Sequence, residues 1–314
     1  ARTMPESVTT FSAIALAIFV EAMPFLAVGA LLSAAIEVFV PPERLAGCLP
    51  KGTVAGIALG AAAGMLLPTC ECGVVPVARR LMDKGVPPHV AVAYMLAAPV
   101  VNPVVLVSTW VAFQGKPSMV AGRMLMAAGI AMLMALMARR MGSILKASYH
   151  AANHSDGCSH HVHDALSGAG ACHASANKIS LAAKFWSVLR HGGHEFMDMG
   201  RFLIVGAVAA ALFKTFLPQE VFLAVAGSPV LQIAGMMVLA VLLSVCSEAD
   251  AFVAASFQPF SNASQLAFVT IGPMVDLKLI GMYAVTFKRT FFWTLMLGPA
   301  LLVFALSITF GMIL

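Results

Sequence analysis

The sequence predicts an all-α polytopic membrane protein, and three observations predict it. Of 314 residues, 60% are hydrophobic and 11% charged, against about 25% charge in a soluble domain. The mean hydropathy of +0.91 means that apolar side chains exceed what one aqueous core can hide. Apolar stretches of membrane-crossing length recur along the chain. On such a chain the net charge of +5 reads as loops obeying the positive-inside rule, and a nucleic-acid partner is excluded. Six cysteines with no zinc-finger spacing do not make a disulfide scaffold. The first apolar stretch, interrupted by Pro24 and two glutamates, is too long for a cleavable signal.

The elements follow in order. Stretch 8–40 is a long helix with Glu21 just before Pro24, and 52–69 runs into Pro68-Thr69-Cys70-Glu71-Cys72-Gly73. Stretch 90–113 contains AAPVVNP, and 120–138 completes the first set. After a polar interval come 196–213, then 229–246 leading into VCSEADAF, 262–286 with IGPMVDLK, and 290–313. Each is close to the roughly 17–25 residues a span needs. The polar interval divides the chain into 1–141, a flexible His/Cys-rich loop at 142–180, and 181–314.

The halves repeat landmarks in the same order. Glu21 and Glu195 are 174 residues apart, Pro42 and Pro218 are 176 apart, and so are Cys70 and Cys246; Pro99 and Asn102 precede Pro273 and Asp276 by 174. This predicts an internal duplication of four hydrophobic segments per repeat, common in transporters. Setting aside Arg201 and Lys278, which lie inside apolar stretches, 17 Lys and Arg remain. If all eight segments cross, these divide ten to seven between the faces. If 52–90 and 229–261 enter and return, they divide thirteen to four. The bias favours the second scheme, in which the repeats are inverted, helices are broken or re-entrant, and crossings number about six to eight. Both schemes put the 142–180 loop on the positive, cytoplasmic face.

The chemistry concentrates at the breaks. Pro68 removes a donor and Gly73 tolerates unusual dihedrals, so helix continuity fails near Cys70–Cys72. A break at membrane depth is tolerated inside protein or beside water, where it frees ligating groups. Cys70, Cys72 and Glu71 suit a soft or borderline cation or a thiophilic metalloid. Thiols alone also pack as small core residues, but a carboxylate in lipid is functional by default. Cys246, Glu248 and Asp250 repeat the chemistry, with helix capping as their simpler reading. Asn102 and Asp276 offer oxygen donors at further breaks, Asp276 alternatively neutralising Lys278. Glu21 suits proton or ion coupling. Asp198 reads as a partner of Arg201, and Arg79, Arg80, Asp83 and Lys84 as a solvated turn.

The loop holds His154, Cys158, His160, His161 and His163 among further His, Cys and Asp residues. Imidazole with thiol suits zinc, copper(I), cobalt or nickel, captured without a preformed site. No resident cofactor is expected, only a transported or loop-bound ion such as zinc.

PTCECGVVPVARRLMDKGVP, AYMLAAPVVNPVVLVSTWVAF, VCSEADAFVAASF and IGPMVDLK together resemble the YraQ-like predicted-permease family of bacterial inner-membrane proteins, which includes organoarsenical efflux permeases. The resemblance spans about 20–115 and 195–290, and it implies a multi-pass permease with metal or metalloid substrates. It places Cys70, Glu71, Cys72 and Asn102 in one motif block, and Cys246, Glu248, Asp250 and Asp276 in the other. The His/Cys loop lies outside it and moves weight from organoarsenicals towards transition-metal ions.

The expected function is therefore permeation of a thiophilic metal ion, with export favoured, by alternating access and without enzymatic chemistry. Expected partners are the bilayer, the metal or metalloid cargo, a second copy of the chain, or an accessory metal-binding protein. The alternatives are arsenite or organoarsenical efflux and, further off, a membrane thiol oxidoreductase. Cys70 and Cys72 lack the C-x-x-C spacing of the last.

Overall fold

The computed structural model describes residues 4–39, 50, 52–66, 69, 71–142, 144–145, 181–216, 228–257 and 260–313. The 146–180 segment, with all five of the loop ligands named above, lies outside the described residues, and so does Cys70. Glu21 and Glu195 sit on described helices, but their side chains are outside the description.

Twelve helices occur among the described residues. The first six are α1 (Met4–Phe39), α2 (Thr53–Leu66), α3 (Glu71–Asp83), α4 (Pro88–Val101), α5 (Pro103–Ala112) and α6 (Pro117–Met141). The second six are α7 (Leu181–Phe216), α8 (Pro229–Leu243), α9 (Asp250–Ser256), α10 (Asn262–Ile271), α11 (Leu277–Thr286) and α12 (Arg289–Ile313). No strand forms among them; one isolated bridge joins Leu145 to Phe287. Four stretches are long and apolar enough to cross a membrane: Phe11–Ile36, Pro88–Ala112, Pro117–Met141 and Arg289–Gly311. Shorter apolar helices lie between them, and the chain is an all-α, multi-pass membrane protein.

Local sequence sets the helix starts. Pro stands at the first position of α4, α5, α6 and α8, where its missing N–H is not needed. Asn102, Ser228, Ser261 and Asp276 each accept a backbone N–H at a helix start, satisfying a donor that has no partner within the helix.

Helix direction follows from who touches whom. Gly56 of α2 faces His89 and Val90, and Gly64 faces Ala98, so α2 runs parallel to α4. The α3–α4 connection is a tight turn at Lys84–Pro87, with Val86 N–H donating to the Leu81 carbonyl and Gly85 at φ +90°. Hence α3 returns antiparallel to both, and α2 with α3 forms a hairpin whose two outer ends lie beside the start of α4. Thr69 Oγ1 lies 3.1 Å from the Tyr94 hydroxyl and Gly64 faces Ala98, which puts the inner end of the hairpin beside residues 94–98, within the Pro88–Ala112 span. At about 1.5 Å per residue neither the 14 residues of α2 nor the 13 of α3 covers a bilayer core of about 30 Å.

The second half does the same. Gln232 Oε1 accepts the Ser261 N–H at one end of α8, and Gly272 faces Ala240 near the other, so α8 and α10 are parallel. Helix lengths run 36, 14, 13, 14, 10 and 25, then 36, 15, 7, 10, 10 and 25 residues. The long outer helices pack in opposite directions: Gly192 of α7 meets Ala30 and Leu31 of α1, while Ile18 packs with Ala207. Likewise Gly122 of α6 meets Phe310 of α12, and Met134 meets Gly298. Between the halves, α3 packs on α11 and α9 packs on α5.

Two expectations are corrected. The reading of Arg79–Lys84 as a solvated turn fails for Arg79, which is buried on α3 with its Nε 3.6 Å from Asp83. Arg123, placed with the face charges, is fully buried inside α6. Without it the thirteen-to-four division becomes thirteen to three. Exposed Leu125, Leu133, Leu297, Leu301 and Trp110 form the kind of apolar exterior a bilayer requires.

Candidate functional site

Three breaks converge where the halves meet, Leu66/Glu71, Leu243/Asp250 and Ile271/Leu277, and a fourth interrupts the first half at Val101/Pro103. Glu71 is the first residue of α3 and is fully buried. Its Oε1 lies 3.1 Å from Lys278 Nζ, and its Oε2 accepts the Ser247 hydroxyl at 3.2 Å. Lys278 Nζ also stands 3.4 Å from Asp276 Oδ2 and 3.9 Å from Cys246 Sγ. Lys278 is in the first turn of α11, at the positive end of the helix dipole. That position disfavours a cation, so the acids and not the helix hold the ammonium there.

A second ion pair crosses the halves in the other sense. Arg123 of α6 donates to both oxygens of Asp250, the first residue of α9, at 2.9 and 2.7 Å. It also donates to Thr109 Oγ1 at 2.8 Å and to the Ser247 carbonyl at 3.3 Å. This is the bidentate fork that favours Arg over Lys at a buried carboxylate.

The sequence-derived residues divide accordingly. Glu71, Cys72, Cys246, Asp250 and Asp276 are buried around the breaks. Glu248 is half-buried and accepts a second contact from the Ser247 hydroxyl at 3.4 Å. Asp250 stands in the first turn of α9, at the dipole end that the capping reading expects, but α9 begins without a side-chain cap and both oxygens of Asp250 are bound by Arg123. Asn102 Oδ1 is occupied as the cap of α5, accepting the Val104 N–H at 3.0 Å. Asp276 does two things: Oδ1 caps α11 through Leu279 N–H at 2.7 Å, and Oδ2 faces Lys278. Asp198 pairs with Arg201 at 3.3 Å on an exposed face. Among the described residues, no three His, Cys, Asp or Glu side chains stand close enough together to hold a metal ion.

Sequence reading missed Arg123 and Ser247. Arg123 carried the same signal as Lys278, a lone base within an apolar stretch. Ser247 had no signal beyond its place beside Cys246. Replacing Asn102 with Ala is expected to cost about 1 kcal/mol, the usual value of an N-cap, and Asn102→Ser is expected to restore it. Thermal unfolding in detergent measures both.

Known proteins are similar to the chain over nearly its whole length. The family profile described as "Predicted permease" matches residues 7–314. The UPF0718 protein YcgR of Bacillus subtilis is 37% identical over 307 residues, 98% of each chain. A putative two-component membrane permease complex subunit of Streptococcus mutans is 35% identical over 290 residues, 92% of this chain and 90% of the relative. No solved structure matches the chain. With near-complete coverage, and with buried charge gathered at broken membrane helices, the chain belongs to the predicted-permease family.

Proposed function

We propose that this permease moves a thiophilic cation, a zinc-like transition-metal ion before a trivalent metalloid, by alternating access around the broken-helix centre. One observation carries the reading. Where the halves meet, two thiols and four carboxylates (Glu71, Glu248, Asp250, Asp276) are gathered against only two bases, Arg123 and Lys278. An excess of acid beside soft sulfur suits a borderline or soft cation. The equal lengths and opposed directions of α1/α7 and α6/α12 support inverted repeats, with each hairpin entering from its own face and stopping at the centre. Cys70, next to Glu71 in sequence, adds a third thiol, and Glu21 on α1 is a candidate coupling carboxylate.

The 142–180 loop, with His154, Cys158, His160, His161 and His163, gathers ions on the positive, cytoplasmic side, which fits export. An accessory subunit is consistent with the name of the Streptococcus relative. Deleting 150–175 is expected to lower transport at limiting metal and to leave it unchanged at saturation. A loss at saturation as well would make the loop part of the pathway.

Proteoliposomes test the central claim, with zinc in one arm and trivalent arsenic in the other. Wild type is expected to move zinc, and Cys70→Ser and Glu71→Gln to lower the initial rate by about tenfold or more. Wild-type rates in both variants overturn the site. Movement of arsenic without zinc transfers the site to a metalloid.

A further inference from the structure

Lys278 is the least expected group at the centre. A long cationic side chain is fully buried at membrane depth, and its ammonium sits among Glu71 Oε1, Asp276 Oδ2 and Cys246 Sγ at 3.1, 3.4 and 3.9 Å. An ammonium is well served by carboxylates, whereas a sulfur neighbour adds little for it and much for a soft metal. Among the described residues Asp276 Oδ2 has no hydrogen-bond partner, and the ammonium stands 3.4 Å from it. The stem is seated as deliberately as the head. Gly206 of α7 lies against it, and a Cβ there would fall 2.8 Å from both Lys278 Cα and Cγ. A glycine at that point of α7 makes the notch in which the stem rests.

We propose that the Lys278 ammonium is a tethered stand-in for the cargo cation, neutralising the cargo's ligands while the site is empty and yielding when the cargo arrives. The inference rests on the cation-permease reading above and specifies how its site empties. Charge matching supports exchange: the ammonium balances one of the two carboxylates it faces, and a divalent ion balances both. Geometry supports it too. With the ammonium in place Glu71, Asp276 and Cys246 surround it at its own contact distances and do not stand close enough together to hold a metal ion, so a metal takes the site only when the ammonium has left and the donors close to the roughly 2.0–2.3 Å of zinc bonds. A four-carbon stem with free torsions moves aside without a change in α11. A built-in competitor weakens apparent affinity by the fraction of time it occupies the site, and it also drives release, because the returning ammonium refills the ligands.

The test is the kinetics of zinc transport by the full chain in proteoliposomes, where loop-bound metal does not register as flux. Lys278→Met removes the competitor. Its KM is expected to fall by about tenfold or more, and its maximal rate to fall with it as release slows. Gly206→Ala keeps the charge and crowds the stem from its notch. A smaller drop in KM is expected from it, so the proposal stays testable if Lys278→Met does not fold. A raised zinc KM in either variant shows that Lys278 supports binding of the cation rather than competing with it and overturns the proposal. An unchanged KM in both makes it a structural counter-ion and overturns the proposal equally. If wild type moves zinc and these variants behave as wild type, only the stand-in fails; if wild type moves no cation, the permease reading fails and takes the stand-in with it.

Discussion

Replacing Arg123 with Met is expected to destabilise the fold by about 3–5 kcal/mol, the range for breaking one side of a buried ion pair. The size follows from what remains. Asp250 is 1% exposed, and both its oxygens lose their donors at once. The Ser247 carbonyl loses its contact from Arg123 and Thr109 its guanidinium donor. Arg123→Lys keeps the charge without the two-pronged geometry and is expected to fall between wild type and Met. The double variant Arg123→Met/Asp250→Leu is expected to recover most of the loss, because an apolar pair carries no stranded charge. Thermal unfolding in detergent reads all three. A single Met variant as stable as wild type would show that the pair holds nothing together.

Gly29→Ile is expected to have the next largest effect. The backbones of α1 and α3 approach through two glycines, and a Cβ on Gly29 would lie 2.5 Å from Gly73 Cα. Without side chains to give way, an added branch separates the two helices. Overpacking of this kind costs typically about 1–3 kcal/mol, and small residues are what let membrane helices associate closely. Gly73 is two residues from Glu71, so the displacement also carries the site carboxylate away from Lys278. Stability and transport are both expected to fall, with Gly29→Ala milder in the same direction. A drop in melting temperature with transport intact would detach this contact from the site.

Much of this architecture is legible in the sequence where one strong local signal decides. The breaks at Asn102, at Cys246–Asp250 and before Leu277 are marked by Pro, Asn, Asp or clustered acids in apolar surroundings, and the described helices end there. Helix α3 is harder to read. Pro76, Arg79 and Arg80 make it look like a polar turn, yet residues 71–79 are buried, because α1, α4 and α11 enclose it. Helix α7 extends fifteen residues ahead of the apolar stretch starting at 196, its amphipathic start being supported by packing on α1. The partners of the charged residues are the least legible. Asp276 was expected beside Lys278 at two residues' distance, but Glu71 is 207 residues away and Asp250 is 127 from Arg123. Nothing local specifies which acid meets which base across two halves of nearly equal composition.

The depth of the hairpin turns sets how the site experiences voltage. The turn between α2 and α3 reaches Tyr94, inside the Pro88–Ala112 span, and the segment leading into α9 meets it through Ser247 and Glu71. On the cation-permease reading proposed above, a divalent ion crossing the membrane through that point carries two charges through the full potential, worth on the order of 4.6 kcal/mol per 100 mV, divided between the entry leg and the exit leg. Transport currents are then expected to depend on voltage in both legs of the cycle.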